Sequence, residues 1–105
     1  MFDFDDEYKK IIPVSEIDSL IGKINIIDIR ETEEVEEGTI RTAVHVQMDE
    51  LASNPSKYMS KEESYYLLCR SGRRSDLTCK FLEREGYDVT NIVGGIIAYT
   101  GKNII

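Results

Sequence analysis

The sequence has few residues that bind metals or form disulfides. Its 105 residues include two cysteines, Cys69 and Cys79, and one histidine, His45. The ten-residue separation of the cysteines matches no zinc or redox motif, and one histidine supplies too few ligands for a metal centre. We therefore expect no metal site and no cofactor. A disulfide framework is not expected either, because such frameworks belong to secreted chains.

Long apolar runs and a basic leader are also absent. No stretch approaches the ~20 apolar residues that a membrane helix needs. Residues 1–7 carry four carboxylates where a secretion signal would be basic and then apolar. These absences predict a cytoplasmic protein that contacts no membrane. Basic residues are scarce too, with 13 Lys and Arg against 20 Asp and Glu, and this negative charge argues against nucleic-acid binding.

The length and the order of the predicted elements indicate one α/β domain. We expect a single domain over residues 1–105, in which residues 1–9 form an acidic lead-in. Predicted strands lie at 11–12, 24–29, 43–46, 65–68 and 89–93. Predicted helices or helical turns lie between Ser15, as N-cap, and Gly22, and at 31–37, 48–51, 55–58, 76–85 and 96–99. This alternation predicts a mostly parallel central sheet of about five strands with helices on both faces.

The segment Cys69-Arg-Ser-Gly-Arg-Arg-Ser75 joins the strand at 65–68 to the helix at 76–85. Parallel sheets bind ligands at this kind of position. Gly72 allows the loop to curl, so that its backbone N–H groups and the helix dipole form an anion-binding nest. Ser75 is predicted to cap the helix.

Positive charge is concentrated at the same loop. Arg70, Arg73 and Arg74 fall within five positions of an acidic chain, which indicates a small anionic ligand. Such surroundings lower the pKa of a thiol from ~8.5 to roughly 3.5–7.5. We therefore expect Cys69 to be a thiolate nucleophile rather than a structural cysteine at a strand end.

Five motifs in this order resemble the rhodanese-like sulfurtransferases over roughly residues 10–105. They are Asp28-Ile-Arg30 with Glu33, Gly38-Thr-Ile40, Ala43, the loop Cys69-x-x-Gly72-x-Arg74-Ser75, and Val93-Gly-Gly95 with Tyr99. The chain departs from the family pattern at two turns. Thr39 and Thr42 replace the usual His and Gly, and Tyr99 replaces the usual Trp.

The resemblance implies a rhodanese-like fold and sulfur transfer through a persulfide on Cys69. The donor would be thiosulfate, a polysulfide or a persulfide, and the acceptor cyanide, a thiol or a sulfur-relay protein. The resemblance further implies a substrate-binding set formed by Arg70, Ser71, Gly72, Arg73, Arg74 and Ser75. Arg70 would bind the anionic end of the donor. Arg74 would either bind substrate or brace the loop by pairing with a carboxylate.

Two other functions remain open at this point. A cysteine phosphatase or arsenate reductase of similar fold needs an arginine six positions after the cysteine, where this chain has Ser75. The shorter loop suits a sulfur atom better than a tetrahedral oxyanion. A noncatalytic interaction or sulfur-carrier module is the second alternative, although the loop keeps its cysteine.

The remaining candidate residues are expected to support the loop. Asp28 and Arg30 follow a buried strand, and we expect an ion pair beneath the loop rather than direct chemistry. Cys79 is expected to be a small core residue rather than a resolving thiol. His45 is expected to have a structural or surface role rather than to transfer protons. The acidic run at 31–37 is expected to be solvated.

Overall fold

The central sheet is parallel and has five strands among residues 6–105, which are the residues described by the computed structural model. The strands are β1 (Ile11–Pro13), β2 (Asn25–Asp28), β3 (Val44–His45), β4 (Ser64–Leu68) and β5 (Asp88–Val93). Their order across the sheet is β1-β5-β4-β2-β3, and every adjacent pair is parallel. The predicted α/β class and strand arrangement are therefore confirmed. The carboxyl end of the central strand β4 leads directly to Cys69.

Both faces of the sheet are buried, because alternate residues of each strand point in opposite directions. One face packs against α2 (Met48–Ser53) and α4 (Arg73–Arg84), and the other against short 3₁₀ turns. The first core includes Ile27, Leu51, Leu67, Leu82 and Val89. The second core includes Ile17, Ile26, Ile40, Leu68 and Ile92. Two short helices, α1 (Thr32–Glu36) and α3 (Pro55–Tyr58), complete the α-helices of the described chain.

The predicted helix between Ser15 and Gly22 is wrong in type. The segment forms two 3₁₀ turns, Val14–Glu16 and Asp18–Leu20, and no side chain caps the first turn. A 3₁₀ helix repeats every three residues, and the buried pair Val14 and Ile17 has that spacing. The closing helix at 96–99 is likewise a 3₁₀ turn, Ile96–Ala98.

The helix after Cys69 begins earlier than the sequence predicts. α4 starts at Arg73, and its N-cap is Gly72, which has a left-handed φ of 98°. The Asp76 N–H donates to the Gly72 carbonyl at 3.1 Å and closes the first turn. The prediction that Ser75 caps this helix is therefore wrong, because Ser75 already lies inside the first turn.

The acidic lead-in is only partly within the described residues, since residues 1–5 lie outside them. Tyr8 is buried in the core, so the end of the lead-in belongs to the folded domain. The Tyr8 N–H donates to Asp76 Oδ1 at 2.6 Å. The Tyr8 hydroxyl donates to the Val89 carbonyl at 2.7 Å.

Residues 6–105 lack both a membrane-spanning helix and a metal-binding cluster. None of the helices there has the length and apolar character needed to span a membrane. The same residues contain no cluster of three or more side chains suited to holding a metal ion.

Candidate active site

The Cys69 sulfur lies inside a ring of polar groups from its own loop. The backbone N–H of Gly72 donates to Sγ at 3.1 Å, and the backbone N–H of Ser75 approaches it at 3.4 Å. The Ser75 hydroxyl oxygen lies 3.2 Å from the same sulfur. The amides therefore point at the sulfur, as the curled loop predicts, while the Cys69 residue is only 1% exposed.

This ring can stabilise negative charge on sulfur. Gly72 and Ser75 belong to the N-terminal end of α4, a helix of 12 residues whose dipole places partial positive charge there. Backbone N–H groups bind an anion strongly because they need no reorganisation when the charge appears. The site is therefore suited to hold a thiolate or a persulfide anion.

The three loop arginines do not share one role. Arg74 forms a bidentate ion pair with Glu34, with N–O distances of 2.8 and 2.9 Å. This pairing lowers the pKa of Glu34 to about 2. Arg74 therefore braces the loop against α1. Arg70 and Arg73 are exposed, and within residues 6–105 neither forms an ion pair.

Asp28 and Arg30 form the expected ion pair beneath α1. Arg30 Nη2 donates to Asp28 Oδ2 at 2.8 Å, and both side chains are buried. The Thr39 hydroxyl donates to the same oxygen at 2.6 Å. Arg30 also donates to the backbone carbonyls of Glu34, at 3.3 Å, and Gly38, at 2.6 Å. The pair thus fixes α1, which carries Glu34, the residue that pairs with Arg74.

The other two candidate residues contact the framework of the protein. The Nε2 atom of His45 lies 2.7 Å from the backbone carbonyl oxygen of Arg30. Cys79 is fully buried in the first core, and burial raises the pKa of its thiol. These contacts agree with the expected structural roles of both residues.

The glycine pair after β5 supports the loop from the other side. A Cβ atom on Gly95 would lie 2.3 Å from the Arg70 carbonyl oxygen, and the φ of Gly95 is 62°. The N–H groups that follow are therefore close to the loop. Ile96 donates to the Cys69 carbonyl and Ile97 to the Arg70 carbonyl, each at 3.0 Å.

Sequence reasoning missed two residues of this arrangement. The resemblance singles out Glu33, but its neighbour Glu34 binds Arg74. Within an acidic run the individual carboxylates cannot be told apart without the helix orientation. Asn91 holds both Gly72 and Ser75 and was not considered. A signal existed, because an amide within the apolar strand 89–93 has to find a buried partner.

A cavity of about 570 Å³ borders the loop. Its walls include Ser71, Gly72 and Arg73 from the loop and the start of α4, and Asn91 from β5. Cys69 itself is not among the lining residues. Arg73, which forms no ion pair within residues 6–105, therefore faces a space large enough for a small molecule.

Comparison with protein families places these features in context. The family model described as "Rhodanese-like domain" matches residues 13–102. The chain belongs to the rhodanese-like domain family. The match includes the Asp28 and Arg30 pair, the Cys69 loop and the glycine pair.

Known relatives of this rhodanese-like chain are named for sulfur chemistry. It is 39% identical to "Putative sulfurtransferase YtwF" of Bacillus subtilis over 80 residues, which are 76% of this chain and 77% of YtwF. It is 34% identical over 80 residues to "Putative sulfur carrier protein YrkF" of the same organism, covering 75% of this chain but 43% of YrkF. The family is thus one of sulfurtransferases and sulfur carriers.

A solved structure confirms the rhodanese-like fold. The crystal structure of SSP1007 from Staphylococcus saprophyticus superposes with a TM-score of 0.84 at 28% identity. The superposition covers 92% of this chain and 99% of SSP1007. The expected family and fold are therefore both confirmed.

Proposed function

We propose that this protein is a single-domain sulfurtransferase that carries sulfane sulfur as a persulfide on Cys69. The donor is thiosulfate, a polysulfide or a persulfide, and the acceptor is cyanide or a thiol. The observation that carries the proposal is the pair of backbone N–H groups, from Gly72 and Ser75, directed at the Cys69 sulfur. An anionic sulfur is the species that such a ring stabilises.

In the first step the Cys69 thiolate attacks the outer sulfur of thiosulfate. A bond forms between Sγ and that sulfur, and the electron pair of the broken S–S bond leaves with sulfite. The product is a Cys69 persulfide anion, so the total charge is conserved. The loop amides hold the persulfide, and the exposed Arg70 and Arg73 attract the anionic donor.

In the second step the acceptor attacks the outer sulfur of the persulfide. With cyanide, a C–S bond forms, thiocyanate leaves, and the electron pair of the S–S bond returns to Sγ. Cys69 is then a thiolate again. No external oxidant or reductant is needed, because one sulfur atom has moved between two nucleophiles.

The position of Arg74 argues against a phosphatase or arsenate reductase. Those chemistries need a loop arginine directed at the oxyanion, whereas Arg74 is held by Glu34. The loop from Cys69 to Ser75 also closes tightly around one sulfur atom. We expect no turnover of a small aryl phosphate.

A sulfur-carrier function is the second candidate, because the relative YrkF is named as a carrier. The burial of Cys69 is compatible with it, since a carrier protects its persulfide until a partner binds. A carrier and an enzyme form the same persulfide. They differ in whether a small acceptor such as cyanide discharges it repeatedly.

The decisive substitution is Cys69→Ser, assayed by thiocyanate formation from thiosulfate and cyanide. Loss of the nucleophile should lower the rate by about 10³-fold or more, with the circular dichroism spectrum unchanged. Cys79→Ala is the matched control and should keep its activity. Multiple turnovers that persist in Cys69→Ser would refute the mechanism. A single sulfur released per wild-type protein would favour the carrier function.

A further inference from the structure

Asn91 is buried within β5, and the proposed chemistry does not use it. The nitrogen and the oxygen of its side-chain amide each form a hydrogen bond with the segment that surrounds Cys69. Nδ2 donates to the Gly72 carbonyl oxygen at 3.1 Å, and Oδ1 accepts from the Ser75 hydroxyl at 2.5 Å. Ser75 Oγ in turn lies 3.2 Å from Cys69 Sγ. A chain of hydrogen bonds thus runs from the Gly72 carbonyl to the sulfur.

The chemistry of its neighbours determines which way the Asn91 amide points. A backbone carbonyl oxygen accepts hydrogen bonds and never donates them, so the NH₂ group of Asn91 has to face Gly72. Asn91 therefore presents its oxygen to Ser75, and an amide oxygen can only accept. The single hydroxyl proton of Ser75 consequently points to Asn91. Ser75 turns a lone pair, and not a proton, toward Cys69.

We infer that Asn91 is a positioning residue that prevents the Ser75 hydroxyl from donating to the Cys69 sulfur. This inference rests on the proposed function of Cys69 as nucleophile. When Cys69 is protonated, its S–H group donates to Ser75 Oγ. Once that proton has left to solvent, only the N–H groups of Gly72 and Ser75 donate to the thiolate within this ring.

Withholding the hydroxyl has a consequence for reactivity. A third donor to the sulfur would increase the thiolate fraction at low pH, but it would also make that thiolate a weaker nucleophile. The rate at which a thiolate attacks falls by about threefold for each unit by which the pKa of its thiol is lowered, because the Brønsted slope is about 0.4–0.5. Asn91 therefore limits how strongly the ring stabilises the attacking sulfur.

The midpoint pH of thiolate formation tests this inference without any sulfur transfer. It can be followed by the far-ultraviolet absorbance of the thiolate, taken as the difference between each protein and its Cys69→Ser counterpart. Arg74 and Cys79 are among the groups on α4 that interact electrostatically with Cys69. Both are kept in every variant, as are Arg70 and Arg73 of the same loop.

The expected signature is a reversal of sign. In the wild-type background Ser75→Ala should move the midpoint down by up to about one pH unit, because only the protonated thiol loses a partner. In an Asn91→Ala background the hydroxyl is free to donate to the thiolate. The same Ser75→Ala substitution should then move the midpoint up. Thr90→Ala, at the preceding position in β5, is the control and should leave the midpoint unchanged.

Two results would overturn the inference. A rise, or no change, on Ser75→Ala alone would mean that the hydroxyl donates to the sulfur despite Asn91. A downward shift of equal size in both backgrounds would mean that Asn91 does not direct the hydroxyl. If Asn91→Ala does not fold, a rise or no change on Ser75→Ala alone still overturns the inference. Absence of sulfur transfer in the wild-type protein, with the predicted shifts intact, would count against the proposed function alone.

Discussion

The two cysteines are almost equally buried and belong to the same core, yet their surroundings differ. Cys69 is 1% exposed and Cys79 is 0% exposed. Cys69 directly follows the central strand and accepts hydrogen bonds from two backbone N–H groups. Cys79 lies in the middle of α4, where burial and the nearby Asp76 raise the pKa of its thiol.

Burial alone therefore does not decide whether a cysteine can act as a nucleophile. A helix directs its free N–H groups outward only at its N-terminus, and Cys79 lies beyond that first turn. Its thiolate therefore receives no stabilisation from the N–H groups of the first turn, and burial favours the neutral thiol. Cys69 precedes the helix, and the left-handed Gly72 turns the first N–H groups back toward it. Position relative to one helix end separates the two thiols.

A substitution that displaces the Cys69 loop and leaves Cys79 in place should cause the largest loss of stability and of sulfur transfer. Gly95→Ala would bring a Cβ to within 2.3 Å of the Arg70 carbonyl oxygen. We expect a loss of about 2–4 kcal/mol in the free energy of unfolding and at least about a tenfold loss of sulfur transfer as the loop shifts. Denaturant unfolding and the thiocyanate assay measure the two effects.

Gly22→Ala is the matched control for the glycine substitution. Gly22 also has a positive φ, of 87°, but a Cβ there would meet nothing within 4 Å. It should cost only about 1 kcal/mol of backbone strain and leave sulfur transfer unchanged. Equal activity in the two variants would show that the glycine pair does not support the loop.

Removing the charge of Glu34 should lower sulfur transfer by Cys69 to an intermediate extent and leave the surroundings of Cys79 unchanged. Glu34→Gln keeps the oxygen that accepts from the Glu31 N–H but loses the ion pair with Arg74. We expect sulfur transfer to fall by about tenfold, because the loop loses its brace. Glu33→Gln removes the same charge from an exposed position of α1 and should have no effect. If both variants behave alike, net charge and not the brace is responsible.

The same pair predicts how stability depends on pH. The folded pKa of Glu34 is about 2, below the value of 4.5 for a free glutamate. The stabilisation is therefore complete above pH 4.5 and is lost as the pH falls through about 2. We expect wild type to exceed Glu34→Gln by about 1 kcal/mol at neutral pH, since the pair is partly exposed. Urea unfolding should show this difference disappearing over that range, and a constant difference would contradict it.

The smallest functional effect should come from the other cysteine. Cys79→Ala removes a sulfur from the core and should cost about 1–2 kcal/mol of stability through the cavity that remains. Sulfur transfer at a temperature where the variant is folded should stay within about twofold of wild type. A much larger loss would give Cys79 a part in the chemistry and remove the contrast between the thiols.

The fold could be predicted from the sequence because its signals are local. Apolar runs such as 65–68 mark strands, and glycines mark the ends of helices and strands. Each of these signals spans only a few neighbouring residues. The errors also have local causes. Over a single turn, a 3₁₀ helix and an α-helix place apolar residues at similar spacings. Gly72 caps α4 through its backbone conformation, whereas the sequence favours Ser75, a residue type that commonly caps helices with its side chain.

The site could be predicted only in part, because its contacts join distant segments. The Cys69 loop is contiguous and was recognisable, and so was the close pair Asp28 and Arg30. The bonds from Arg74 to Glu34 and from Ser75 to Asn91 span 40 and 16 residues. Such contacts depend on strand order and helix orientation, which a single sequence does not reveal.

The most direct test asks which sulfur becomes a persulfide. Incubation with thiosulfate, followed by proteolysis under nonreducing conditions and mass spectrometry, should locate an added mass of about 32 Da, one sulfur atom. We expect this mass on the peptide that carries Cys69, with Cys79 unmodified. A stable adduct on Cys79, or none on Cys69 under conditions that support turnover, would contradict it.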